Sequence, residues 1–221
     1  SSRQARNHPK EKVMAAGLFI SLEGIDGVGK STQSDLLEEF LRSAGREVVR
    51  TFEPGGTELG QEIRHLLLHR KGDVAPRAEA LLYAADRAHH VATKVRPALE
   101  RGEVVITDRY LDSSVAYQGA GRALKADDVR AISMFAVEGL LPDLTILLDL
   151  EASAAAARRN TTGEAPDRLE REKIEFFEAV RQAFLDMAAA DPKRWLVIDA
   201  RQTVEQMQEQ IRTRVGQLLG A

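Results

Sequence analysis

The chain has 221 residues and no cysteine, which excludes disulfides, thiolate metal sites and a cysteine nucleophile. Its 31 Lys and Arg residues against 34 Asp and Glu residues give a net charge of -3, which argues against a general nucleic-acid-coating protein. No stretch approaches the ~18 uninterrupted apolar residues of a membrane span, so we expect a soluble, cytoplasmic protein with neither a nucleic-acid nor a membrane partner.

The first residues differ in character from the rest of the chain. Residues 1–13 carry four basic side chains against one acidic side chain and show no apolar periodicity. A secretory signal would need an apolar core of about 7–15 residues, which this segment lacks. We expect a flexible leader or a remnant of cloning, followed by a single domain over residues 14–221. A phosphate-seeking arm is the alternative interpretation of residues 1–13.

Short apolar runs alternate with amphipathic stretches along the remaining chain. The runs predict five buried strands, at residues 18–22, 48–52, 104–107, 144–148 and 195–198. Stripes of apolar residues at three- and four-residue steps predict helices within residues 76–96, 174–187 and 204–218. Continuous apolar strands separated by helices predict an α/β fold, an open five-stranded parallel sheet with helices on both faces.

A glycine-rich segment lies between the first predicted strand and a predicted helix at about 31–43. Residues 24–31 read GIDGVGKS and fit the G-x-x-x-x-G-K-[ST] pattern of a phosphate-binding loop. Glycines let backbone N–H groups turn toward phosphate oxygens, and the start of the helix adds a partial positive charge. Lys30 is placed to reach the β- and γ-phosphates, and the Ser31 hydroxyl to bind Mg²⁺. The predicted ATP-binding residues are Gly24, Ile25, Asp26, Gly27, Val28, Gly29, Lys30, Ser31 and Thr32.

Two features separate this site from other classes of P-loop protein. No Asn-Lys-x-Asp tetrapeptide follows a predicted strand, which counts against a GTPase. The third strand leads into Asp108 and Arg109 rather than the carboxylate pair expected of a motor ATPase. Because ligands of α/β sheets collect at the carboxyl ends of the strands, an arginine there indicates that a second phosphate is bound.

A second nucleotide site is indicated on the long predicted helix. Tyr83 and Arg87 lie four residues apart and so share one face of that helix. An aromatic ring beside a guanidinium can stack on a nucleobase and hydrogen-bond to its edge. An ordinary exposed helix face is the alternative for this pair taken alone.

In this order, the motifs resemble those of the bacterial thymidylate kinase family, from residue 18 to about residue 218. The matching segments are EGIDGVGKSTQ at 23–33, EPGGT at 53–57, LLYAADR at 81–87 and DRYLDSSVAYQG at 108–119. The resemblance implies a P-loop kinase fold, direct in-line transfer of the γ-phosphoryl group of ATP to dTMP with Mg²⁺, and a homodimer. The alternatives are a nucleoside monophosphate kinase acting on dUMP or a ribonucleotide, and a nucleotide-dependent switch or binding module.

The resemblance also implies roles on the acceptor side. Tyr83 would stack on thymine, and Arg87 would bind the edge of the base. Arg109 would hold the dTMP phosphate, Asp26 would contact the 3′-hydroxyl, and Tyr117 would crowd the 2′ carbon and so favour deoxyribose. The other implied acceptor-binding residues are Glu53, Pro54, Ser114 and Gln118.

Two positions depart from the family pattern. Phe52 stands where the family commonly has an arginine, which predicts that a positive charge near the acceptor phosphate is missing and that Arg109 takes more of that task. Gly27 stands where some members carry a basic residue. Members with a neutral P-loop place arginines in a lid, here about residues 155–170, and one such arginine can act as a catalytic finger. The implied catalytic lid residues are Arg158, Arg159 and Arg168, and the choice between Arg158 and Arg159 as the finger stays open.

Two assignments at the margin of the donor site have alternatives. Asp108 either holds a magnesium-bound water or orients Arg109, and Asp26 is the other carboxylate placed to hold the metal. Arg201 follows the fifth predicted strand, in a segment that resembles the loop bordering the donor adenine in the family. Asp199, two residues earlier, is equally placed to cap the final helix.

Overall fold

The computed structural model describes residues 15–120, 124–160 and 163–220, so the predicted leader at residues 1–13 lies outside the described residues. Five strands form one sheet, and every pair of neighbouring strands is parallel, in the order β2-β3-β1-β4-β5. The strands are β1 at Leu18–Glu23, β2 at Val48–Phe52, β3 at Val104–Asp108, β4 at Leu144–Asp149 and β5 at Trp195–Asp199. The predicted open five-stranded parallel sheet is confirmed.

Helices connect the strands. They are α1 at Lys30–Ser43, α2 at Glu58–His69, α3 at Pro76–His90, α4 at Arg96–Glu100, α5 at Leu111–Ser114, α6 at Ala126–Val137, α7 at Ala152–Arg159, α8 at Arg168–Ala190 and α9 at Val204–Leu219. π-Helical turns at Val91–Val95 and Val115–Ala120 extend α3 and α5. The single helix predicted for residues 76–96 is therefore interrupted. Pro97 stands just after the first interruption and has no N–H to donate to the preceding turn.

The core lies on both faces of the sheet because successive strand residues point to opposite sides. Along β1, Ile20 packs with α1, α8 and α9, whereas its neighbour Phe19 packs with the π-helical turn after α3 and with α6. Along β3, Val104 and Ile106 join the first of these clusters, and Val105 joins the second. Helices on both faces thus explain why the central strands read as continuous apolar runs.

Parallel pairing brings the carboxyl ends of the strands to one edge of the sheet. At this edge β1 leads into the glycine-rich loop, β2 into Glu53, and β3 into Arg109. Central β1 has β3 on one side and β4 on the other, so the chain reverses direction across the sheet at this strand, where α/β proteins bind ligands. No helix among the described residues is long and apolar enough to cross a membrane.

Candidate active site

The glycine-rich loop depends on backbone conformations that favour glycine. Gly24 has φ 138°, and a Cβ there would lie 2.7 Å from the Leu148 carbonyl oxygen. Gly29 precedes α1 in the left-handed conformation, with φ 98°. Ile25 instead turns inward and is buried in the core beside the sheet. The loop therefore offers backbone groups rather than side chains to a ligand at the start of α1.

Lys30 lines a cavity of about 460 Å³ next to this loop. Its Nζ donates to the Gly24 carbonyl at 3.0 Å and forms an ion pair with Asp108 Oδ1 at 3.2 Å. Burial, reinforced by nearby Arg109, lowers the pKa of Lys30 from its ordinary value. The predicted ATP-binding residues at this cavity are Asp26, Gly27, Val28, Gly29, Lys30, Ser31 and Thr32.

A second cavity of about 460 Å³ lies beside the first. All nine residues predicted for the acceptor side line it: Asp26, Glu53, Pro54, Tyr83, Arg87, Arg109, Ser114, Tyr117 and Gln118. Residues from the glycine-rich loop, from the turns after β2 and β3, and from α3, α5 and the following π-helical turn thus meet at one place, although up to 92 positions separate them in sequence (118 − 26). The wall shared by the two cavities is formed by Asp26, Glu53, Arg64 and Arg109.

Within that wall, the Arg109 side chain is held by several hydrogen bonds and a ring contact. Its Nη2 lies 3.2 Å from Asp26 Oδ1 and 3.1 Å from the Tyr117 hydroxyl, and its Nη1 donates to the Ser113 hydroxyl at 3.1 Å. The guanidinium carbon also lies 4.8 Å from the centre of the Tyr117 ring. These contacts fix the charged group at the boundary between the two cavities.

A buried carboxylate supports Arg109 from behind. Glu23 at the end of β1 accepts a hydrogen bond from the Tyr110 N–H at 2.8 Å and another from the Ser113 hydroxyl. Burial, only partly offset by the charge of Arg109, raises the pKa of Glu23 to about 7. Because Ser113 also accepts from Arg109, Glu23 and Ser113 together hold the turn after β3 in place.

A buried ion pair shapes the other end of the acceptor cavity. Arg87 Nε lies 2.7 Å from Glu53 Oε1, and His90 Nδ1 lies 2.7 Å from Glu53 Oε2. Arg87 also donates to the Ser114 hydroxyl at 3.0 Å and to the Tyr110 carbonyl at 3.2 Å. The pairing satisfies both carboxylate oxygens of Glu53 and leaves Arg87 at the cavity wall with a fixed orientation.

The three predicted lid arginines point to different places. Arg159 donates to the Asp26 backbone carbonyl and lies with its guanidinium carbon 5.7 Å from the Phe177 ring centre. Arg158 donates to the Ala200 carbonyl at 2.8 Å, beyond the end of β5. Arg168 begins α8 and lies 3.5 Å from Glu172 on the same helix, with its side chain 82% exposed. Only Arg159 among the three contacts the glycine-rich loop within the described part of the chain.

Arg201 lines neither of these two cavities. It forms an exposed ion pair with Asp199, 2.8 Å between Nη2 and Oδ2. Asp199 therefore does not cap the final helix, and that alternative is wrong. Thr203 caps α9 instead, because its hydroxyl accepts from the Gln206 N–H at 3.1 Å and Gln206 reaches back to Thr203.

Known proteins resemble this chain over most of its length. A family model described as thymidylate kinase matches residues 22–211. The chain belongs to the thymidylate kinase family. A thymidylate kinase from Leifsonia xyli subsp. xyli is 66% identical over 199 residues, covering 90% of this chain and 94% of the relative. Relatives with the same description are 62% identical in Clavibacter sepedonicus (93% of this chain, 97% of the relative) and 48% identical in Deinococcus radiodurans (90% and 96%).

Membership of the thymidylate kinase family, whose members phosphorylate dTMP, confirms the predicted family and the predicted class of enzyme, a phosphotransferase. Glu23, Arg64 and Ser113 are among the residues at the site that sequence reasoning missed. Glu23 could have been found from the sequence, because it is the one charged residue of the apolar strand β1. Arg64 carried no such signal, because it belongs to an amphipathic helix without a motif and approaches the site only through the packing of α2.

Proposed function

We propose that this chain transfers the γ-phosphoryl group of ATP to dTMP by direct in-line transfer, giving ADP and dTDP. The observation that carries the proposal is the shared wall of the two cavities, where Arg109 borders both the glycine-rich loop and the acceptor side. Two nucleotides bound in these cavities would place their phosphates on either side of one guanidinium. Phosphoryl transfer depends mainly on such positioning and on charge neutralisation.

On the donor side, Lys30 would neutralise the β- and γ-phosphates within the backbone cradle of residues 24–32. Arg159 is our choice for the lid finger, because it contacts the glycine-rich loop at Asp26 whereas Arg158 and Arg168 bond elsewhere. Gly27 has no side chain to supply charge, so a cation from the lid is needed there. The acceptor phosphate is anionic at neutral pH, and the transfer therefore needs no general base.

On the acceptor side, the base would lie between Tyr83 and the buried end of the cavity. Gln118 is 5% exposed, and its side-chain oxygen has no hydrogen-bond partner among the described residues. Such an oxygen would accept from the ring N–H of thymine, while Arg87, held by Glu53 and Ser114, would donate to the edge of the base. Tyr117, packed against Phe177 with ring centres 6.5 Å apart, would stand against the sugar.

The donor cavity suits Mg²⁺. No group of three or more His, Cys, Asp or Glu side chains placed to hold a metal occurs among the described residues. Mg²⁺ bound with nucleotides takes few protein ligands and keeps waters and phosphate oxygens, so one or two oxygen side chains suffice. We assign these to the Ser31 hydroxyl and Asp108, which line the cavity next to Lys30. When bound, the ion would neutralise charge on the donor phosphates.

We also propose that the chain acts as a cytoplasmic homodimer. Phe135 on α6 is 87% exposed and Leu81 on α3 is 56% exposed, and these two helices pack against each other. Large apolar side chains on neighbouring helices fit a self-complementary interface across a twofold axis. The absence of cysteine in the whole sequence fits a reducing compartment. A light-scattering mass near 24.4 kDa would contradict the dimer.

An acceptor panel tests the proposed reaction. ADP production would be measured with dTMP, dUMP, UMP, CMP, AMP and GMP, using a Lys30→Ala variant prepared in parallel to measure any contaminating kinase. We expect dTMP to give the highest kcat/KM and the variant to give only background. A preference for another monophosphate would reject dTMP as the substrate. ATP hydrolysis that no monophosphate stimulates would point to a switch instead of a kinase.

A further inference from the structure

Arg64 occupies an unusual position for a surface-helix arginine. Its Nη1 donates to the Pro54 carbonyl at 2.7 Å, and its guanidinium carbon lies 5.9 Å from the centre of the Phe52 ring. The guanidinium of this α2 residue thus packs against the turn that follows β2. The ring below and the carbonyl beside it restrict the orientations of a side chain that otherwise has many rotamers.

The charge of Arg64 faces the place where the two cavities join. Arg64 and Arg109 are the two cations in the shared wall, and the acids of that wall, Asp26 and Glu53, are already paired. Asp26 pairs with Arg109, and Glu53 with Arg87 and His90. Arg64, in contrast, forms no ion pair within the described part of the chain; its partners there are a carbonyl and a ring. Its charge is therefore available to an anionic ligand.

We propose that Arg64 binds the phosphate of the acceptor nucleotide together with Arg109. The inference rests on the proposed function, since it names the group that two converging guanidinium groups would hold. Planar guanidinium groups bind phosphate oxygens in fixed, often bidentate geometry, and two of them can divide the oxygens of one phosphate. Phe52 itself contributes no charge, but its ring supports the residue that does.

A comparison of two ligands tests the role of Arg64. Dissociation constants of dTMP and of thymidine, which lacks the phosphate, would be measured calorimetrically for wild type, Arg64→Gln and Arg64→Lys. We expect Arg64→Gln to weaken dTMP binding about 10- to 100-fold, as the loss of a charge-assisted hydrogen bond does, and to leave thymidine binding within about 2-fold. In steady state the KM for dTMP should rise while the KM for ATP stays constant. Arg64→Lys should keep most of the dTMP affinity.

Two further variants separate a phosphate contact from a structural one. Arg70→Gln removes the same charge at the end of α2, outside both cavities, and should change neither dissociation constant. Phe52→Arg combined with Arg64→Gln places a guanidinium where the ring now lies and should restore part of the dTMP affinity.

Three results would overturn the inference. Equal weakening of dTMP and thymidine binding in Arg64→Gln would mean that Arg64 only holds the turn at Pro54. Unchanged dTMP binding in that variant would remove Arg64 from the site, and a comparable loss in Arg70→Gln would reduce the effect to general charge. Failure of the proposed function itself is distinguishable, because wild type would then not phosphorylate dTMP at all.

Discussion

The donor and acceptor sides of the site are built in different ways. The donor loop comes from contiguous residues, and its ligand groups are backbone N–H groups oriented by glycines such as Gly29. The acceptor cavity comes from side chains in the turns after β2 and β3 and on α2, α3, α5 and α8, several of which are themselves held by buried partners. A local motif therefore reveals the donor side, whereas the acceptor side exists only after the chain has folded.

The two sides also differ in how charge is placed. Lys30 pairs with Asp108, a side chain that is 41% exposed. Arg87 and Glu53 are 2% and 1% exposed, and each would be left as an uncompensated buried charge without the other. We expect substitutions on the donor side to affect mainly catalysis, and substitutions in the acceptor wall to affect folding stability as well.

The largest expected effect is at the boundary between the sides. Arg109→Ala should lower kcat by about 10³-fold or more, because the guanidinium between the two phosphates is lost, while the affinity for ATP stays nearly intact. Single-turnover rates and ATP titration would measure the two quantities. Arg101→Ala, which removes an exposed arginine paired with Glu103, is the matched control. An unchanged kcat would remove Arg109 from the mechanism.

The second effect concerns stability and separates the two sides directly. Arg87→Met should lower the free energy of unfolding by about 3–5 kcal/mol, since it leaves the Glu53 carboxylate buried beside His90 without its main partner. Ser31→Ala, at an exposed position in the first turn of α1 on the donor side, should change it by less than about 0.5 kcal/mol. Urea denaturation followed by circular dichroism would measure both. Equal losses would contradict the contrast drawn here.

The third effect is a dependence on pH. Glu23 has a pKa of about 7 in the folded protein against 4.5 as its ordinary value, because burial disfavours the carboxylate. Between pH 4.5 and 7 the folded state keeps a proton that the unfolded state has released, so stability decreases as pH rises through this window. The decrease amounts to about 3 kcal/mol at most.

In Glu23→Gln the side chain cannot titrate, so the pH dependence that Glu23 gives to stability is lost. The difference in unfolding free energy between wild type and Glu23→Gln should shift in favour of the variant from pH 4.5 to pH 7. Denaturant midpoints measured at four or five pH values would show the shift. Parallel stability curves for the two proteins would mean that Glu23 titrates normally.

The smallest expected effect is on the choice of sugar. Tyr117→Ala should relax discrimination between dTMP and its ribose counterpart by about 10-fold, as the ring no longer fills the space beside the 2′ carbon. Tyr117→Phe keeps the ring against Phe177 and loses only the hydroxyl that contacts Arg109, so it should keep the discrimination. The ratio of kcat/KM values for the two acceptors is the measurement. Loss of discrimination in Tyr117→Phe would assign it to the hydroxyl.

Sequence patterns predicted the sheet well because its strands are buried on both faces. Each predicted strand agrees with the structure to within one residue at its end, for example residues 104–107 against Val104–Asp108. The order of the strands was not readable, since it depends on which crossovers pack together. The helix predicted at residues 76–96 lies within a helical run that continues to Glu100, but the apolar stripe gives no sign that the hydrogen-bond pattern changes at Val91.

For the candidate site, the sequence supplied the residues with motifs but not their partners. Nothing in the pattern predicted that Glu53 would pair with Arg87 across 34 positions, or that Arg64 would cross the turn after Phe52. Both contacts require the packing of α2 and α3 against the end of the sheet. The sequence predicted that a positive charge is missing near the acceptor phosphate because position 52 is Phe. In the structure the guanidinium of Arg64, from α2, lies beside the Phe52 ring.

At Arg109 the residue that suits the backbone conformation is not the residue that the reaction needs, so stability and activity favour different side chains. With φ 70° it adopts the left-handed conformation, which disfavours every residue with a Cβ by roughly 1–2 kcal/mol. Glycine would relieve that strain but carries no guanidinium. Arg109→Gly should therefore unfold at a higher denaturant concentration than Arg109→Ala, while the two variants have equally low kcat. A screen that ranked these two variants by thermal tolerance alone would thus select glycine, although neither variant carries the guanidinium that the reaction needs.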